Sequence, residues 1–102
     1  MAESAYIGTD LKFLVEPTAT GFNPATDQFE VTISCGEVSQ TWTKSQLATD
    51  THGNYYVCFS TSTFGNGIYY ITVVTHTPDS DFTDGYREDV VPKPLIKVLN
   101  TP

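Results

Sequence analysis

The sequence predicts an all-β chain folded as one immunoglobulin-like antiparallel β-sandwich of about six to seven strands, and three observations carry that reading. Thr, Tyr, Phe, Val and Ile are plentiful while Leu, Ala, Lys, Arg and Met are sparse, a balance that suits pleated, half-buried surfaces. Apolar residues alternate with polar ones in several short runs, the period of a strand with one face on a core. Turn formers separate these runs at about 8–12-residue spacing, which is the rhythm of a sandwich. A length of 102 residues holds one such core and leaves no room for a second.

Residues 1–9 are small or polar apart from Tyr6 and Ile7 and read as a flexible N-terminal arm, with the single sandwich domain over 10–102. An arm of this kind is suited to adding a strand to a neighbour's sheet. Leu11, Phe13 and Val15 then share a face until Pro17 ends the first strand, and a long connection with Phe22 as its plug follows. From Gln28 to Ser34, Phe29, Val31 and Ile33 alternate with Glu30, Thr32 and Ser34 without a fault. Cys35-Gly36 marks a turn into a short strand centred on Trp42, and Ser45 to Ala48 is a connection capped by Leu47.

The turn-rich run Thr49 to Asn54 leads into Tyr55 to Ser60, with Tyr55, Val57 and Phe59 inward and Tyr56 and Cys58 outward. A turn at Phe64-Gly65-Asn66-Gly67 feeds the strand Ile68 to Thr77, and the spacing predicts that these two strands form a hairpin. After the acidic loop Asp79 to Gly85, Tyr86 to Val91 and Leu95 to Leu99 form a last edge region. Pro92 and Pro94 interrupt it and belong at an edge or a bend, because proline donates nothing to a ladder.

Twelve acidic and five basic side chains give a net charge of −7, a field that repels phosphate backbones and anionic lipid, so neither nucleic acid nor membrane is an expected partner. The N-terminus shows no signal-peptide pattern and no run is long enough to span a bilayer, so synthesis in a reducing cytoplasm and free thiols at Cys35 and Cys58 are expected.

Catalysis requires a nucleophile, a base and an orienting group that converge. His52 falls in a turn and His76 on an outward strand position, and neither lies in a recognised signature, so no enzyme, catalytic residue or cofactor is expected. A hydrolase or lyase built from sequence-distant carboxylates is the alternative furthest from these signals. Asp79, Asp81 and Asp84 are the one metal candidate, but glycine falls one place late for a calcium loop and Val90 stands where the bidentate Glu belongs. A solvated turn in which Arg87 pairs with Asp84 or Asp81 is the preferred reading. Tyr6, Ile7, Trp42, Tyr56 and Tyr70 are the candidate binding residues, since exposed aromatics concentrate at interfaces.

The segments Phe29-Glu30-Val31-Thr32, Gln40 to Ser45, Gly53 to Phe59, Phe64 to Ile68 and Pro78 to Arg87 together resemble small structural proteins of tailed phages infecting gut Bacteroidales, including crAss-like phages. The resemblance spans Leu11 to Leu99 and rests on turn-and-strand texture. It implies a non-enzymatic auxiliary or decoration protein, or a head-fibre protein, of the virion. Such a protein would bind the outside of the phage head in many copies, with the major capsid protein and neighbouring virion proteins as partners. A fibre, tail or baseplate module that binds a host surface glycan, with Trp42 and the tyrosines as a stacking platform, is the alternative.

Overall fold

A computed structural model describes residues 4–100. Its eight strands are β1 (Ser4–Tyr6), β2 (Asp10–Val15), β3 (Gln28–Cys35), β4 (Val38–Thr43), β5 (Ala48–Thr49), β6 (Tyr55–Ser60), β7 (Gly67–Pro78) and β8 (Tyr86–Leu99). A 3₁₀ turn over Lys44–Gln46 precedes β5, and one helical turn, α1 (Thr61–Phe64), follows β6. Among the described residues no helix is long and apolar enough to cross a membrane.

The strands form a five-stranded sheet in the order β1-β8-β7-β3-β4 and a three-stranded sheet in the order β2-β6-β5. This is an all-β sandwich with immunoglobulin-like connections, in which the chain changes sheet at β1–β2, β2–β3, β4–β5 and β6–β7. The period-two expectations hold: β3 alternates strictly between buried and less buried positions, and Leu11, Phe13 and Val15 of β2 face inward. Val31, Ile33 and Val57 are wholly buried, each contributing roughly 1.5–3 kcal/mol of transfer free energy. Phe22 packs edge-on against Phe29 at 6.1 Å and closes the core beneath the β2–β3 connection.

Two expectations need correction. The strands β6 and β7 do not pair as a hairpin: β6 pairs with β2 and β5, whereas β7 pairs with β3 and β8. The reason lies in the connection, where Thr61 and Phe64 are buried and α1 carries the chain from one sheet to the other. The described part of the expected arm, residues 4–9, is not free of the domain. β1 pairs in parallel with β8, Ser4 opposite Lys97 and Tyr6 opposite Leu99, and the Ile7 N–H donates to the Leu99 carbonyl at 2.9 Å. Residues 1–3 lie outside the described residues.

One group of hydrogen bonds fixes the crossing. The Thr61 hydroxyl, fully buried, donates to the Thr9 carbonyl at 3.0 Å and accepts the Gly8 N–H at 2.9 Å, so α1 holds the turn between β1 and β2. Tyr69 at the start of β7 is also fully buried, and its hydroxyl reaches the carbonyls of Thr61 and Gly65. This is the tyrosine corner of immunoglobulin-like sandwiches, a ring in the core with its polar tip returned to upstream backbone. Burial first, and the neighbouring Cys35 second, push this hydroxyl's pKa up to about 12, so it stays a donor at neutral pH.

The last hairpin sets the molecule's long dimension. β8 has 14 residues, which at about 3.4 Å each approaches the 51 Å extent. The Asp79 N–H bonds to the Gly85 carbonyl at 3.0 Å, so by antiparallel alternation the odd residues of β8 up to Lys93 bond toward β7. Pro92 and Pro94, at even positions, therefore direct their missing donors to the open edge, and the register shifts just beyond Pro94.

Tyr69→Phe keeps the ring and removes both acceptor contacts of the hydroxyl. It is expected to destabilise the domain by about 1–3 kcal/mol, seen as a lower urea midpoint with unchanged slope.

Candidate functional site

Antiparallel register places directly opposed residues on one face, so the outer surface of the five-stranded sheet can be assembled row by row. On β7 it carries Ile68, Tyr70, Thr72, Val74 and His76; opposite the last four, β8 contributes Pro94, Pro92, Val90 and Glu88. On the other side of β7, β3 adds Ser34, Thr32, Glu30 and Gln28, and β4 extends the rows with Ser39, Thr41 and Thr43. Ile68, Tyr70 and Val90 are 52%, 45% and 59% exposed and lie on adjacent strands, so their apolar surface forms one patch.

The result is a band of apolar side chains and prolines bordered by hydroxyls, with Thr32 and Thr41 bonded across the strands at 2.8 Å. Its charges stand around it: Lys97 beside Ile68 at one end, Glu88 opposite His76 at the other, and Glu30 on β3 opposite Val74, in the row of Val90. At that acidic end His76 stacks on Tyr86 at 4.4 Å. Desolvation, then the carboxylates of Glu88, Asp84 and Glu30, raise the Tyr86 hydroxyl above its ordinary value. Such a flat face, open on several neighbouring strands, offers contact area to another surface instead of enclosing a small molecule.

The five binding residues named from sequence do not form one cluster. Tyr6 and Tyr70 share this outer face, Tyr6 at its β1 margin opposite Leu99, and Ile7 follows in the adjoining turn. Trp42 does not face outward: it stands beside buried Val31 and packs toward Phe59 of the other sheet at 6.3 Å. Tyr56 lies on the outer face of the three-stranded sheet, where its hydroxyl donates to Asp50 at 2.9 Å and Lys12 sits 4.7 Å from its ring centre. A single platform of Trp42, Tyr56 and Tyr70 is therefore not assembled, because strand parity sends Trp42 inward and the other two to opposite faces.

Asp50 organises the β5–β6 turn. Its carboxylate accepts the N–H groups of His52 and Asn54, the Asn54 side-chain amide and the Tyr56 hydroxyl. Those bonds, the Asn54 side chain's first, hold its pKa at about 2. His52 is thus part of a well-bonded exposed turn that joins two strands of the three-stranded sheet, whereas His76 lies on β7 of the other sheet.

Among the described residues no group of three or more His, Cys, Asp or Glu side chains converges as metal ligands, so Asp79, Asp81 and Asp84 are not brought together. Asp79 instead accepts the Asp81 N–H at 3.0 Å and shapes its own turn. Nor does Arg87 pair with Asp84 or Asp81. It bridges to Asp89, two places along the same strand face, at 3.0 Å, and donates to the Thr20 carbonyl. Both cysteines are free, with Cys35 buried and Cys58 exposed. Burial pushes the Cys35 thiol pKa up, which suppresses the thiolate.

The residues missed from sequence are Ile68, Val90, Pro92 and Pro94. The two-residue spacing of the last three was the available signal, since it places them on one face of β8, but the adjacent apolar pair Val90-Val91 obscures the alternation. No family model matches the sequence, and neither a curated protein nor a solved structure does.

A depressed carboxylate pKa contributes stability that is complete above the unfolded value of 3.8 and is lost as pH falls through about 2. The β5–β6 turn is thus expected to hold at pH 4 and open toward pH 2. The Asp50 carboxyl resonance reads this directly, and Tyr56→Phe should move its midpoint upward.

Proposed function

We propose that this protein is a non-enzymatic structural protein of a phage virion, docked on the outside of the capsid through the outer face of its five-stranded sheet. The observation that carries the docking face is the exposed band of Ile68, Tyr70, Val90, Pro92 and Pro94, on a chain whose net charge is −7 but whose charges flank this band. The virion assignment is supported by the resemblance of residues 11–99 to structural proteins of Bacteroidales phages. A capsid lattice presents the same site many times, so a small face of modest affinity per copy is adequate when neighbouring contacts act together. In this reading the partners are the major capsid protein and adjacent virion proteins, and the protein stabilises the head or displays its other surfaces.

Capsid particles of the candidate virus's major shell protein, sedimented with the purified domain, test the proposal. Binding should saturate at a ratio set by the capsomers. Tyr70→Asp combined with Val90→Asp should reduce it at least about tenfold, with an unchanged far-UV spectrum and a retained cooperative thermal transition showing that the domain still folds, since the two side chains are 45% and 59% exposed. Failure to bind particles, together with binding of soluble host polysaccharide, would replace this reading with a fibre or baseplate module.

A further inference from the structure

The two sheets do not close equally at their edges. On β8 the prolines guard the open side, but among the described residues β2 pairs only with β6 and its other edge has no strand partner. The Thr61 N–H donates to the Thr9 carbonyl at 3.1 Å, and Thr9 stands opposite Thr61 in the continued β2–β6 register. Antiparallel alternation then turns the odd residues of β2 toward β6 and the backbone N–H and C=O groups of Lys12 and Leu14 toward the open edge. Beside them a groove of about 140 Å³ runs between the sheets, lined on its apolar side by Leu14, Val15, Ile71, Val73 and Val91. Thr75 also lines it, and its buried hydroxyl has no hydrogen-bond partner among the described residues.

A strand with unpaired backbone groups and a 46% exposed leucine is a template for another strand. Its charges specify which one. Along the outer face β2 and the residue after it present Lys12, Leu14 and Glu16 in line. An antiparallel partner matching them must read basic, any, apolar, any, acidic from its N-terminal end. Of the five basic residues in the chain only Lys12 begins such a run, Lys12-Phe13-Leu14-Val15-Glu16, so β2 is complementary to itself.

We propose that β2 is a homodimer edge, pairing antiparallel with β2 of a second copy about a two-fold axis at Leu14. Leu14 then faces Leu14, and each Lys12 faces the other copy's Glu16. That self-complementarity is what an isologous contact requires. Pro17, at an odd position, withholds no donor from the new ladder. The pairing uses a different edge from the proposed capsid-docking face and does not rest on it.

Sedimentation velocity on the full chain, loaded up to about 1 mM, tests the pairing. The wild type is expected to show a reversible dimer. Lys12→Glu and Glu16→Lys each create two like-charge contacts and should weaken it about tenfold, whereas the two together restore both pairs and the dimer. Leu14→Pro removes a donor at the open edge without touching the β6 ladder, and should give a folded monomer. A wild type that stays monomeric throughout overturns the proposal, as does a dimer indifferent to Leu14→Pro or a double charge reversal that fails to recover. An unchanged far-UV spectrum and thermal midpoint for each variant separate loss of pairing from loss of fold.

Discussion

The fold depends on a polar knot inside an apolar core. Once β6 ends, the chain must cross between sheets within a few residues, and a crossing through the core exposes backbone carbonyls to a medium that cannot solvate them. Thr61 and Tyr69 satisfy that demand: one hydroxyl ties the crossing to the β1–β2 turn, and the other returns to the carbonyls of Thr61 and Gly65. Phe59, Phe64 and Tyr69 pack around the knot with ring centres 5.5–6.0 Å apart, so the polar contacts stand in a dry environment where their loss is costly. The sandwich thereby joins its sheets without a disulfide, both cysteines remaining free.

The strands were legible because alternation is a local property. Phe29, Val31 and Ile33 announce an inner face whatever they pack against, and β3 follows that pattern along its length. The pairing of β6 with β2 was not legible, because a tight turn and a crossover share the same glycine and asparagine signals. Burial of Thr61 and Phe64 distinguishes them, and it is visible only in three dimensions. The make-up of the exposed sheet face was half legible for the same reason. Tyr70 was assigned outward correctly from its neighbours, whereas Trp42 lies in a short strand whose inward parity is set by its partner Val31. Tyr56 was outward too, yet its hydroxyl is engaged by Asp50 in holding a turn.

The distribution of charge follows from the division of faces. Carboxylates gather in turns, where Asp50 and Asp79 bond backbone N–H groups of their own loops, and at the strand ends. On the broad sheet face the strip formed by Tyr70, Pro92 and Pro94 is uncharged, with Lys97, Glu30 and Glu88 around it, so a contact confined to that strip loses little charge solvation. The strand edges are treated differently from one another: proline on β8 forbids a ladder, while charge on β2 restricts which ladder can form. Together these devices leave a small acidic domain with distinct faces and edges.

The parallel pairing of β1 with β8 has a mechanical consequence. The first and last strands lie side by side and run the same way, Ser4 beside Lys97 and Tyr6 beside Leu99. Tension applied between the two ends of the domain pulls these strands past each other along their length. The bonds joining them are then loaded in shear and must yield together, whereas an antiparallel terminal pair would peel open one bond at a time. The short β1 ladder acts as a clasp that resists pulling along the chain, a property suited to a domain held at both ends.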